Sequence, residues 1–544
     1  MKFIARFLYV PLAGLLVLTS CAKEETESYD KFENQALEAW MPQHRSDLVE
    51  NLQSEGLYYI DLLDAGDLAS DPINTEDIWV SFDFSGRDLS GNIILTRNAD
   101  DAVLAGSFSK YTHYVPFYRY CGSENSGLME GTWLAMRRTL TLGDTYFRNN
   151  KDRLGITSPE VTLRYGSKIR LYMPSSVVGN GVEGTGGYEG QEGYSLSSKR
   201  PFIVTMEIRD TVSNPLEREG TDVDDFCELN GGLQIYSKGD DDTPATEVPE
   251  DPEDPEHPYS ETSKRWVSAC DSIPQVYVNV RYNPAEPGDQ LSFPAPYHVG
   301  YEPYVSEASV RDIDMQIAEA LKKRFHGEGD DYEKYEGVKT LEADSVTLEG
   351  TAKIWYIGRF LDGFIFDTNI DEVKQIIYGE VRKTGSAHSY DVQNPDLITA
   401  FYYIVPHLKY GQWATLVTTS TNAYGTTGKS GGSSTSTSSN GYTSSYYDYL
   451  NYLNYSQMYY GNNGYYGGYY NDYYGYGGLG NYGYYGGYYG GYGGNYDSGE
   501  TTTTTKVYTD IPSFSPLIFQ IYIEPDGKLS LIHISEPTRQ EAIS

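Results

Sequence analysis

Between Ala352 and Asn369 the chain reads AKIWYIGRFLDGFIFDTN, and two further stretches carry the same dense mixture of aromatic and aliphatic side chains. They are LITAFYYIVPHLKYGQWATLVTTSTNAYG at 397–425 and IPSFSPLIFQIYIE at 511–524. No Ser-His-Asp or Cys-His set stands out in the chain, and no pair of histidines lies at ligand spacing, so neither nucleophilic nor metal chemistry has support. What these blocks offer is apolar and aromatic surface, with Tyr356, Asp367 and Tyr424 as its polar groups. Taken alone, the first block is a hairpin: an alternating strand, a turn at Asp362-Gly363, then a second strand.

Taken together and in this order, the three blocks resemble the FKBP-type peptidyl-prolyl cis-trans isomerases. That family shows Tyr-x-Gly-x-x-x-Asp-Gly-x-x-Phe-Asp, then Val-Ile-x-Gly-Trp opening a helix. A strand ending in Ala-Tyr-Gly follows, then Ile-Pro and a last strand with Leu-x-Phe. The resemblance places Tyr356, Phe366 and Asp367 at the family's Tyr and Phe-Asp, and Leu397 and Ile398 at its Val-Ile. Phe401 stands where the family has the Trp of the pocket floor, and Ala400 stands for its Gly. Tyr424 matches the tyrosine of Ala-Tyr-Gly, Ile511 the isoleucine of Ile-Pro, and Phe519 the phenylalanine of the last strand. The stretch from Asn369 to Leu397 is longer than the family usually has.

What the resemblance implies is a prolyl pocket. An X-Pro bond turns over a barrier of about 18–20 kcal/mol because twisting breaks amide resonance, and unaided turnover takes tens to hundreds of seconds. A dry aromatic pocket favours the less polar, twisted amide, and each ~1.36 kcal/mol removed gains about tenfold in rate. The Ile398 N–H and the Tyr424 hydroxyl would hold substrate carbonyls, with Asp367 as an orienting group and not a base. No cofactor is called for. Expected partners are proline-containing unfolded or nascent exported proteins, and macrolide-type inhibitors fit the same pocket.

A fainter copy precedes these blocks. VSFDFSGRDLSGNIILTRN, 80–98, repeats the hairpin spacing with Phe84 for Tyr, Gly86, Gly91, Ile94 for Phe and Leu95 for Asp. Leu128-Met129-Glu130-Gly131-Thr132 stands for Val-Ile-x-Gly-Trp, Val178 for the Tyr of Ala-Tyr-Gly, and PFIVTMEI for the last strand. The fold class expected is therefore α+β: tandem FKBP-like domains, each a twisted antiparallel sheet wrapped on a short helix, with disordered inserts. The earlier copy is expected to be degenerate and inactive.

The ends place the molecule. Lys2 and Arg6 precede an apolar run, Phe7 to Leu18, too short for a membrane span of roughly 20 residues; this is the layout of an export signal. It closes on Leu18-Thr19-Ser20-Cys21, which resembles a bacterial lipobox, so that residues 1–20 would be cleaved and Cys21 lipidated. Ala22 and the acidic Glu24-Glu25-Thr26-Glu27 resemble the tethers of lipoproteins sent to the outer membrane of a Gram-negative cell, facing periplasm or surface. The membrane is then a partner by lipid anchor alone. LSLIHISEPTR, 529–539, resembles translated sequencing adapter, and 528–544 is set aside as non-native.

Formal charge is −36, which excludes phosphate-backbone binding and hence nucleic acid. Beyond Cys21 there are Cys121, Cys227 and Cys270, enough for one disulfide and a leftover thiol. Read along the chain, 21–55 is tether and helix, 56–212 the degenerate domain, 213–264 an acidic Pro-rich linker, 265–344 a connecting strand and helix region, and 345–527 the isomerase-like domain. In the region 265–344, Ile313, Ile317 and Leu321 are spaced as on one helix face. Within the last domain, Thr426 to Asp510 is an insert. Residues 441–500 hold 22 of the 53 tyrosines and 17 glycines, a composition that cannot fill a packed core and reads as a disordered loop. The alternative to an isomerase is a non-catalytic chaperone or surface-binding lipoprotein that uses this scaffold and the Tyr/Gly tract.

Overall fold

The computed structural model describes residues 29–53, 58–124, 128–177, 201–234, 266–268, 275–280, 282–285, 293–298, 305–325, 346, 351–379, 385–393, 397–429, 432–439 and 501–524. Residues 1–20 and Cys21, on which the expected export signal and lipid site fall, lie outside these, as do Val178, the acidic run 239–258, Cys270, the tyrosine tract 441–500 and the tail 528–544.

A helix, Tyr29–His44, leads in. The first sheet comprises β1 (Leu52–Gln53), β2 (Tyr58–Ala65), β3 (Ile78–Asp88), β4 (Ile93–Thr96) and β5 (Phe117–Cys121). A minor pair, β6 (Leu140–Thr141) and β7 (Glu160–Val161), stands apart from it, and β8 (Ser167–Met173) and β9 (Phe202–Val212) complete it. The order is β1-β2-β8-β9-β3-β4, with β5 on the other half of β3.

The second sheet comprises β10 (Leu233–Gln234), β11 (Trp266–Ser268), β12 (Val276–Asn279), β13 (Thr351–Phe360), β14 (Ile365–Thr368), β15 (His388–Asp391) and β16 (Trp413–Thr418). A separate ribbon pairs β17 (Gly432–Ser439) with β18 (Thr501–Tyr508), and β19 (Leu517–Ile523) ends the sheet. Its order is β10-β11-β12-β16-β19-β13-β14, with β15 on β13.

The ladder β2-β8-β9-β3-β4 thus recurs strand for strand as β12-β16-β19-β13-β14, and β5 and β15 occupy the same place. Register repeats as well. Gly86 faces Leu95 and Val204, Gly358 faces Asp367 and Phe519, and both hairpins shift register at the next residue, Arg87 or Arg359. Each sheet has a short helix at the same point of the chain order, Glu130–Arg137 and Thr399–Ile404. The class is the expected one: tandem α+β domains, each an antiparallel sheet with a short helix.

Strand periodicity sorts the side chains of β13. Ala352, Ile354, Tyr356 and Phe360 join the apolar cluster that holds Phe366, Phe401 and Phe519, while Trp355 and Ile357 turn to the other face. That other face is covered by the helix Glu307–Phe325 through Ile313, Ile317 and Leu321.

Two segments differ from their sequence reading. The stretch 213–264, whose composition predicts a linker, opens with a helix, Pro215–Leu229, whose Val223, Phe226 and Cys227 are buried with Trp266, Val417 and Ile518 of the second sheet. That sheet also draws β10 to β12 from before residue 345. The insert is not disordered at its ends: eight residues of β17 pair with eight of β18, and the Lys429 and Ile511 backbones are bridged. The threonine run 501–505 supplies β-branched residues suited to a strand.

Candidate functional site

Asp367 ends up beside Tyr356 because the β13–β14 hairpin folds back at Asp362-Gly363. The Tyr356 hydroxyl donates to Asp367 Oδ2 at 2.8 Å. Three hydrogen bonds lock the base of this hairpin. Tyr356 N–H donates to Asn369 Oδ1 (2.8 Å), Thr368 Oγ1 to the Tyr356 carbonyl (2.6 Å), and Asn369 Nδ2 to the Ile354 carbonyl (2.9 Å). At the tip, Asp362 Oδ1 accepts the Phe364 N–H and Gly363 adopts φ +90°, which glycine reaches without strain.

The Phe366 ring lies against Gly358: a β-carbon there would meet Phe366 Cζ at 2.6 Å. Glycine at 358 is therefore what lets the ring lie flat on the strand. Around it stand Phe519 (5.7 Å between centroids, 87°), Tyr424 (6.2 Å, 82°) and Phe360 (5.3 Å, 61°), and Phe519 in turn meets Phe401 at 5.2 Å and 86°. Edge-to-face rings at these separations attract beyond their buried area. Ile511 is buried in the same cluster, and Leu397, Ile398, Tyr356 and Tyr424 line it half-buried. The structure thus brings eight of the nine residues singled out in the sequence into one apolar cluster, and Asp367 joins it through the Tyr356 hydroxyl.

The polar groups are few and placed. Ile398 is the N-cap of Thr399–Ile404, in extended conformation, and its carbonyl accepts the Phe401 N–H at 3.0 Å. Burial, and then the neighbouring Asp367 carboxylate, push the Tyr356 and Tyr424 hydroxyls far above the usual phenol range, so both stay protonated donors. Tyr356 is committed to Asp367, whereas the Tyr424 hydroxyl has no hydrogen-bond partner among the described residues. Lys429 places its ammonium 5.0 Å from the centroid of the Tyr424 ring. No group of three His, Cys, Asp or Glu among the described residues could hold a metal ion.

No family model and no curated protein matches the chain. Solved structures do. The three FKBP domains of wheat FKBP73 align over 87% of this chain and 95% of that one, at 9% identity and a TM-score of 0.18. FkpA from Escherichia coli aligns over 39% and 73%, at 11% identity and 0.21. A peptidyl-prolyl cis-trans isomerase from Pseudomonas syringae aligns over 34% and 98%, at 15% identity and 0.19. At such scores these likenesses add nothing to the geometry of the pocket itself.

Sequence reasoning missed the groups that clamp this cluster from outside it. His113, from the first domain, sets Nε2 2.6 Å from Asp362 Oδ2 and stacks on Phe360 (4.2 Å) and Phe364 (4.6 Å). Nearby, Tyr111 stacks on Tyr378 at 4.4 Å, Trp79 meets Phe514 edge-on at 4.8 Å, and buried Arg97 pairs with Asp510 at 3.6 Å. The first domain therefore grips both the hairpin tip and the loop that carries Ile511. Partners 249 or more residues apart leave no local signal.

Proposed function

We propose that the second domain is a peptidyl-prolyl cis-trans isomerase. The observation that supports it is the aromatic box of Phe366, Phe401, Phe519 and Tyr424, with a protonated Tyr424 hydroxyl at its edge and the Ile398 N-cap beside it. Such a box can take a proline ring and leave the flanking amide in a poorly solvated setting, which lowers the barrier to rotation without any bond being made or broken. Tyr424 O–H and Ile398 N–H serve the substrate's carbonyls, and the Tyr356–Asp367 pair holds the wall that carries Phe366. The first domain serves as a non-catalytic partner.

In this reading the chain is a lipoprotein anchored through Cys21 at the outer membrane of a Gram-negative cell. Its substrates are proline-containing segments of unfolded or nascent exported proteins, and macrolide-type inhibitors compete for the same pocket. The Tyr/Gly tract, carried on the β17–β18 ribbon beside Ile511, captures unfolded segments and raises their concentration at the pocket mouth. The deciding experiment is a protease-coupled assay on prolyl tetrapeptides. Turnover should exceed the spontaneous rate and fall in Y424F and F366A. A wild-type rate equal to the spontaneous one would rule the isomerase out and leave a binding protein. For the tract, deletion of 440–500 should slow turnover on an unfolded protein and spare the tetrapeptide; equal slowing of both would refute capture.

A further inference from the structure

Glu219 is a carboxylate in the wrong place for a helix surface. It sits within Pro215–Leu229, only 2% exposed, where a charge is costly unless donors meet it. Both of its oxygens are met by one residue of the second domain. The Ser420 N–H donates to Oε1, and Ser420 Oγ donates to Oε2 at 2.7 Å.

Ser420 is also the hinge of the turn that presents Tyr424. Its carbonyl accepts the Ala423 N–H at 2.9 Å and the Gly425 N–H at 2.8 Å, the residues on either side of Tyr424. One residue is thus tied to Glu219 by its N–H and hydroxyl, and to the Tyr424 turn by its carbonyl. The next helix residue, Gly220, supports the approach. A β-carbon there would run into the side-chain amide of Gln275, and the Gln275 carbonyl accepts the N–H of Thr419. Glycine inside a helix costs about 1 kcal/mol relative to alanine, and here it lets the helix lie close to the strand end that leads into Ser420.

We propose that Glu219 is a positioning residue for the isomerase pocket: through Ser420 it fixes the turn that aims the Tyr424 hydroxyl at the substrate carbonyl. This rests on the isomerase reading. An apolar side chain would fill the same space with no desolvation cost, but could not hold both donors of Ser420. Burial pushes the Glu219 carboxyl up to about 7. The charged groups around it are Asp222 and Arg218 on its own helix and Asp210 of β9, which Arg218 approaches.

The test uses the full chain as E219A, E219Q, S420A and S420T, compared well below each variant's unfolding temperature. Amide hydrogen exchange across 419–425 should quicken about tenfold or more in E219A, and less in S420A. S420T, which keeps the hydroxyl, should match wild type. On the tetrapeptide, kcat should fall about tenfold in E219A while KM holds within about twofold. Unchanged exchange in E219A overturns the proposal, and so does quickened exchange with unchanged kcat. If E219A fails to fold, E219Q and S420A are judged by the same criteria. If the wild type shows no turnover, the isomerase reading falls with it. The Glu219–Ser420 anchor is then decided by the exchange data and by nitration of Tyr424, which should change in rate in E219A.

Discussion

The two sheets run through the same register yet end in different interiors. At Gly358 the space above the strand is taken by Phe366, which leans on Phe519 and Tyr424 and leaves polar groups at its rim. At Gly86 the same space is taken by Phe202, a ring supplied from β9, because the hairpin position holds Ile94. Val204 stands opposite Gly86 where Phe519 stands opposite Gly358. Thr132 replaces the floor aromatic and turns its hydroxyl onto the Met129 carbonyl at 2.8 Å, and Leu95 replaces Asp367 beside Phe84. In the first domain the corresponding space is filled by side chains of the sheet itself. One ring arriving from a neighbouring strand fills in the first domain the space that the hairpin's own Phe366 fills in the second, while the glycine and the register shift are kept in both.

The sharpest way to break this comparison is a pair of matched truncations. F366A and F202A should each cost about 3–5 kcal/mol of stability in denaturant unfolding. Only F366A should cut kcat/KM, by about a hundredfold or more; F202A should leave it within about twofold. A comparable loss in F202A would mean that the first interior takes part in turnover.

The next effect concerns pH and belongs to the second domain's anchor. Glu219 has an ordinary value of 4.5 that burial raises to about 7. The folded chain therefore binds the extra proton between these values, so stability from this group is fully present below about pH 4.5 and lost as pH rises through 7. The loss amounts to about 3 kcal/mol. Urea unfolding at pH 5 and pH 8 should show a wild-type decline that is smaller by about this amount in E219Q. Asp222, raised to about 6 by burial, contributes a decline of the same sign in both proteins. Equal pH dependence in the two would contradict the assignment.

H113A follows. It removes the ring between Phe360 and Phe364 and the partner of buried Asp362, and should cost about 3 kcal/mol or less. Calorimetry should then resolve two unfolding transitions in place of one. The smallest effect is expected for Y356F, which the first domain already carries as Phe84. Turnover should drop by less than about tenfold, because the hydroxyl supports the wall and does not meet the substrate. A loss as large as that of F366A would give Tyr356 a direct role.

The aromatic cluster was legible because its parts are local in the chain. The spacing Tyr356, Gly358, Asp362-Gly363, Phe366-Asp367 is a property of one hairpin, and an alternating strand shows its faces in the text. The helix Glu307–Phe325 was legible for the same reason, through Ile313, Ile317 and Leu321. What could not be read was what holds the parts from afar. Glu219 meets Ser420 across 201 residues, and β10 to β12, of two to four residues each, are too short to show a period. The helix Pro215–Leu229 was hidden because its hydrophobic residues are diluted by Glu217, Asp222, Asp224, Asp225 and Glu228. Of these, Asp222, Asp224 and Asp225 meet Tyr277, Tyr297 and Arg218.

The β17–β18 ribbon has a consequence for how such a chain can change over generations. Because eight residues on each side are already paired and the Lys429–Ile511 bridge closes the ribbon at its foot, whatever lies between Ser439 and Thr501 enters and leaves through one doorway. Doubling or halving the length of chain closed between two fixed ends alters the closure free energy by only about 0.6 kcal/mol. Repeats of tyrosine and glycine can therefore be gained or dropped by slippage in the coding sequence with almost no penalty to the domain that bears them. The tract is free to drift in length and to be tuned by selection on its own account, while Ile511, bridged to Lys429 at the foot of the ribbon, stays where it is.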